Sequence, residues 1–255
     1  RVVVKVPKGE ADGIAPEHVT DYLAMAQNDL GITQTFAPEI GTQLFAKDHS
    51  TGRYALEYHP RGSLDRYLGI DGESTHIRAD FSLAELLTVL EQVVSFNFVL
   101  WDGRYTHLDI HAGNYVLCGK ERETGLLTET PARKSTQNGA LRAIDFGTCT
   151  RIGESPKLGQ GRLMPPEHQR SWVKRGDALD YANPLWDVYQ TGRFAGTLLT
   201  SGGWGPIEAR SSDPEPLQKL ATIACRWMSA DPLGRMPSVD LRTPLWPAVV
   251  AETMT

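Results

Sequence analysis

Two acids and one amide carry the chemistry that this sequence could perform. Asp109 and Asn114 lie five residues apart in Tyr105-Thr106-His107-Leu108-Asp109-Ile110-His111-Ala112-Gly113-Asn114-Tyr115-Val116-Leu117, which reads as a loop opening into an apolar, β-prone run. Asp145 stands at the exit of a second strand-like run, Leu141-Arg142-Ala143-Ile144-Asp145-Phe146-Gly147. Three such side chains are enough to hold a proton acceptor and one or two Mg²⁺ ions beside a nucleotide. Phosphoryl transfer asks for that set, because the metal neutralises charge developing on the phosphates while an Asp takes the proton of the attacking hydroxyl.

Other elements must position these groups. Arg1-Val2-Val3-Val4-Lys5-Val6 reads as a β-branched strand, in which Lys5 either faces outward or grips phosphates. A helix is expected from Pro16 to Leu30: Pro16 suits a first turn, Glu17 the positive end of the dipole, and Gly31 a stop. Val19, Tyr22, Leu23, Ala26 and Leu30 line one face of it. Strands are expected around Gly41–Ala46 and Arg53–Tyr58. Ser82-Leu83-Ala84-Glu85 has the capping-box pattern. It opens a core helix whose Leu83, Leu86, Leu87, Leu90, Val93, Val94 and Phe98 lead into the Asp109 loop. The stretch from Cys118 to Gly139, rich in Gly, Thr, Lys and Glu, is expected to be a long polar excursion.

Taken in order, these features resemble the protein kinase family over nearly the whole chain. H-x-D-x-x-x-x-N followed by D-F-G resembles its catalytic core, and Leu56-Glu57-Tyr58-His59-Pro60-Arg61-Gly62-Ser63-Leu64 resembles its hinge. Met164-Pro165-Pro166-Glu167, the helix of Trp186-Asp187-Val188-Tyr189 and the segment Asp231-Pro232-Leu233-Gly234-Arg235 resemble later landmarks. The resemblance implies an α+β, two-lobed fold: a small β-rich lobe over 1–58, a hinge over 59–63 and a larger helical lobe over 64–255. It implies ATP and Mg²⁺, with Lys5 on the phosphates, Asp109 as proton acceptor, and Asn114 and Asp145 on the metal. The hinge backbone at Glu57, Tyr58 and His59 would face the adenine. Asp187 would brace the catalytic loop, and Arg235 would pair with Glu167. An acid on the first helix should pair with Lys5. Asp21 is favoured over Glu17, because capping already explains an acid in the first turn.

The sequence departs from the family pattern in three places. Only four residues precede Lys5, so the glycine-rich phosphate loop is either cut off or natively missing. Leu108 stands where regulated kinases carry the Arg that answers a phosphorylated activation segment, which implies a core without that requirement. His111 stands where Ser/Thr kinases have a phosphate-stabilising Lys; at neutral pH it would be mostly uncharged. Asp109-Ile110-His111-Ala112-Gly113-Asn114 is also similar to the D-L-H-P-G-N of small-molecule phosphotransferases of the aminoglycoside and choline type. A short N-terminus resembles the parasite-secreted "with-no-glycine-loop" kinases of the rhoptry and dense-granule type, some of which are pseudokinases; that likeness implies secretion. The expected function is ATP-dependent phosphorylation of Ser or Thr in a protein substrate, with a pseudokinase binding module as the alternative.

Composition bounds the rest. The chain has 255 residues, 40% hydrophobic and 22% charged, ample for a sizeable core of ordinary globular type. Its net charge of −5 gives no reason to expect nucleic acid or an anionic membrane as the main partner. No apolar run approaches the roughly 18 residues of a bilayer span. Cys118, Cys149 and Cys225 lack metal-ligand spacing, and either three thiols or one disulfide with one thiol fits them.

Overall fold

The structure, a computed structural model, describes residues 1–9, 12–59, 62–68, 83–118, 141–156, 164–167, 181–200 and 215–235. It is a mixed α+β protein. Strand β1 (Val2–Lys5) is followed by helix α1 (Pro16–Phe36) and strands β2 (Leu44–Asp48) and β3 (Arg53–Glu57). β3 is central in a three-stranded antiparallel sheet of order β1-β3-β2, with Lys5 opposite Tyr54 and Val3 opposite Leu56. Alternation then sends Tyr54 and Leu56 to the face covered by α1, where they bury against Leu30.

α1 starts as expected, with Pro16 in its first turn, but it runs past Gly31 to Phe36. A helical Gly costs only about 1 kcal/mol relative to Ala. Burial of Ile32 and Phe36 in the main core outweighs that. The expected stop at Leu30 is therefore corrected to Phe36.

After the short helix α2 (Leu64–Leu68), helix α3 (Leu83–Asp102) forms the spine of the core. Leu90, Val93, Val94, Phe96 and Leu100 are buried along it, while Phe98 packs half-buried at its edge. Ser82 and the side chains of Leu83, Leu86 and Leu87 lie outside the described residues, as does 119–140, which holds nearly all of the expected excursion. β4 (Tyr105–Thr106) pairs with β7 (Thr150–Arg151), and β5 (Tyr115–Leu117) pairs with β6 (Leu141–Ala143), both antiparallel. The two ribbons frame the loops carrying Asp109 and Asp145.

Helices α4 (Pro184–Thr200) and α5 (Glu215–Trp227) close the other side of α3. They cross closely at Gly192, where a Cβ would sit 2.7 Å from that of Trp227, so no larger residue fits without moving a helix. Beyond α5, Arg235 is fully buried. It grips Glu167 through two bonds of 2.6 and 2.7 Å and stacks 4.9 Å over Tyr189, so it joins 164–167 to α4 as expected. No helix among the described residues is long and apolar enough to cross a membrane. All three cysteines are free thiols.

Candidate active site

The loop bearing Asp109 is held from below by α4. Asp187 is completely buried and accepts the backbone N–H of His107 at 3.0 Å and of Leu108 at 3.0 Å, together with the Trp101 indole N–H at 2.9 Å. Burial pushes its carboxyl above the usual range, against the pull of these donors. One turn on, Gln190 accepts the N–H of Ile110 at 3.0 Å and donates to the carbonyl of Leu108 at 2.8 Å. Leu108 needs this support, since its φ of 65° lies in the left-handed region that non-glycine residues avoid. Its side chain buries against Ala182 and Trp186, so the position expected to hold Arg in regulated kinases is part of the core.

Within the loop, Asn114 donates to the Asp109 carbonyl at 2.8 Å and to its Oδ2 at 3.0 Å. His111 Nε2 lies 3.4 Å from the same oxygen, while its Nδ1 accepts the Gly113 N–H at 3.1 Å. The hydrogen bond to Asp109 raises the His111 pKa above 6.5 despite burial, helped by the charges of Asp109, Asp65 and Asp145. The shift favours the charged ring, while the acceptor role of Nδ1 favours the neutral one.

Asn114 is tied to the second acid by backbone: its carbonyl accepts the Ile144 N–H at 2.9 Å, and Tyr115 pairs with Ala143. Asn114 and Asp145 thus emerge at the same end of the β5–β6 ribbon. Thr148 closes the gap further by donating to the His107 carbonyl at 2.9 Å, beside the tilted contact of the His107 and Phe146 rings.

Lys5 meets Asp145 from the sheet. Its ammonium lies 3.1 Å from Asp145 Oδ1 and 2.6 Å from Asp29 Oδ2. Burial disfavours the ammonium, but the two carboxylates and their hydrogen bonds outweigh it and leave the Lys5 pKa raised. Asp29 also accepts from the Tyr54 hydroxyl and, at 2.7 Å, from the N–H of Phe146. Its neighbour Asn28 donates to the carbonyls of Gly147 at 3.1 Å and Cys149 at 2.9 Å. Asp145 itself has φ 62° and a half-exposed side chain.

The expected pairing of Lys5 with Asp21 is corrected to Asp29. In the sheet Lys5 stands opposite Tyr54, and Tyr54 packs on Leu30, so the acid next to Leu30 is the one within reach. Asp21 lies eight residues earlier, about 12 Å along the helix at 1.5 Å per residue. It is exposed, with His18 Nδ1 at 3.8 Å. The side chain of Glu17 lies outside the described residues. Asp21 shares with Lys5, Met25, Asp29 and Asp145 the lining of an open cleft of about 630 Å³.

Glu57, Tyr58 and His59 follow β3, with the Glu57 N–H on the Gln43 carbonyl. Burial lowers the pKa of His59. These three residues stand apart from the cleft lining, although the next turn reaches the ribbon: Gly62 accepts the Leu117 N–H at 3.0 Å and Ser63 bridges to Val116. Sequence reasoning missed Asn28, Asp29 and Gln190. Of these, only Gln190 carried a local signal, being one helical turn from Asp187 on the same face.

Neither a family model nor a curated protein matches the chain. Among the described residues, no group of three or more His, Cys, Asp or Glu side chains is placed to hold a metal ion. Asn114 and Asp145 make a smaller oxygen set at one end of a ribbon. These are oxygen donors of the kind a hard cation would take beside phosphate and water.

Proposed function

We propose that the chain is an ATP-dependent phosphotransferase with the two-lobed organisation of protein kinases, acting on a Ser or Thr hydroxyl of a protein. One observation carries this reading: Lys5 is paired to a buried helix acid and touches Asp145, while Asp145 shares a ribbon end with the braced pair Asp109 and Asn114. A surface ion pair would need no such bracing.

In this reading Lys5 binds the nucleotide phosphates, its ammonium favoured by Asp29 and Asp145. The carboxylate of Asp109, oriented by Asn114 and His111, accepts the proton of the attacking hydroxyl. Asn114 and Asp145 would hold Mg²⁺, which when bound offsets phosphate charge. Residues 1–58 would form the small lobe and 64–255 the large one, with Glu57–His59 presenting backbone to the adenine.

The test is turnover with Mg²⁺-ATP and protein substrates. Asp109→Ala should lower it by about a thousandfold or more while leaving thermal stability nearly unchanged. Undiminished turnover in that variant overturns the assignment of the base. If calorimetry with wild-type protein detects no Mg²⁺-ATP, with Asp145→Ala as control, the transferase reading falls and a nucleotide-independent binding module takes its place.

A further inference from the structure

The segment after Asp145 is gripped by two successive residues of α1 with opposite polarity. Asp29 accepts the Phe146 N–H, and Asn28 Nδ2 lies 2.9 Å from the Cys149 carbonyl, 3.1 Å from that of Gly147 and 3.4 Å from that of Phe146. A carboxamide NH₂ has two hydrogens, so the two shorter contacts saturate it and the third adds only a fringe attraction. The turn supplies its own donor to the Phe146 carbonyl, from the Cys149 N–H at 3.0 Å, so Asn28 serves chiefly the carbonyls of Gly147 and Cys149. The grip is also adjacent to strain: Asp145, at φ 62°, holds a left-handed conformation costing roughly 1 kcal/mol or more for a residue with a Cβ. Such a conformation persists only where the surroundings over-determine it.

We infer that Asn28 is a positioning residue for Asp145. By fixing the carbonyls of Gly147 and Cys149 it keeps Asp145 in its left-handed turn, with the carboxylate at the ribbon end it shares with Asn114. The inference rests on the phosphotransferase reading for its consequence in binding, though its structural half does not depend on that reading.

Three variants grade the donor: Asn28→Gln keeps the NH₂ on a longer stem, Asn28→Ala removes it, and Asn28→Asp turns acceptor oxygens toward three carbonyls. Two measurements apply to the full chain. The first is amide hydrogen exchange across 145–149, which should quicken in the order Gln, Ala, Asp. The second is calorimetric affinity for ATP with and without Mg²⁺. Asn28→Asp should weaken Mg²⁺-ATP binding by about tenfold or more while changing metal-free ATP binding much less, because only the metal-dependent part runs through Asp145.

A merely structural role would weaken both forms alike, and that result overturns the inference. Unchanged exchange at 145–149 in Asn28→Asp overturns it as well. If wild-type protein binds no ATP, the phosphotransferase reading fails. The exchange order alone then decides whether Asn28 holds the turn.

Discussion

Asp29 and Asp187 do the same job for different loops. Each is a buried helical carboxylate that accepts backbone N–H groups from a loop carrying an acid of the site: Asp187 from His107 and Leu108, Asp29 from Phe146. Their partners differ. Asp187 is held by backbone and indole N–H groups and is wholly enclosed, so burial drives its pKa up against them. Asp29 has a cation, Lys5, whose side chain is 31% exposed. A carboxylate fixed by neutral N–H groups in a closed core is a permanent brace. One shared with a half-open lysine is free to exchange partners, which the proposed phosphotransferase would use when phosphate binds Lys5.

Removing each acid tests that distinction. Asp187→Ala leaves two backbone N–H groups and an indole N–H buried without an acceptor, at roughly 1–3 kcal/mol each. A loss of about 4 kcal/mol in chemical denaturation is expected. A loss under about 1 kcal/mol would mean that water reaches the pocket and the brace is dispensable.

Asp29→Ala should cost less, about 2 kcal/mol, since Lys5 can stay on Asp145 and reach solvent. Its effect on Mg²⁺-ATP affinity should be about tenfold, because Lys5 and Phe146 lose their common anchor. Asp29→Asn, which keeps an acceptor for Phe146, should restore stability more than affinity. Equal recovery of both would erase the contrast with Asp187.

The same contrast explains what could be read from sequence. The meeting of Asp109 and Asn114 was legible because only five residues separate them, Asp145 because it stands at the exit of a strand-like run, and the Asp187 brace and the Glu167–Arg235 pair because whole motifs carry them. Asp29 was not. Gly31 is a local stop signal, and only the tertiary burial of Ile32 and Phe36 carries α1 through it. The choice between Asp21 and Asp29 turns on the register of Lys5 against Tyr54, a contact between strands nearly 50 residues apart. Asn28 reaches carbonyls more than a hundred residues away, and backbone acceptors leave no mark in composition.

The smallest effect concerns His111, whose two nitrogens answer to opposite demands. Nδ1 accepts the Gly113 N–H, which favours the neutral ring; Nε2 faces Asp109, and the hydrogen bond there, with Asp65 and Asp145 nearby, raises the pKa above 6.5. A group whose pKa is higher folded than unfolded adds stability fully present below the unfolded value and lost as pH rises through the folded one. Against His111→Gln, wild-type protein should therefore gain most well below pH 6.5. The margin should shrink as pH climbs past the raised pKa, leaving only the Gly113 bond. With a 40% exposed side chain the titrating part stays under about 1 kcal/mol, so thermal unfolding must be compared across a pH series. A margin flat with pH would show that the Gly113 bond prevails: His111 stays neutral, and it orients Asp109 without lending it charge.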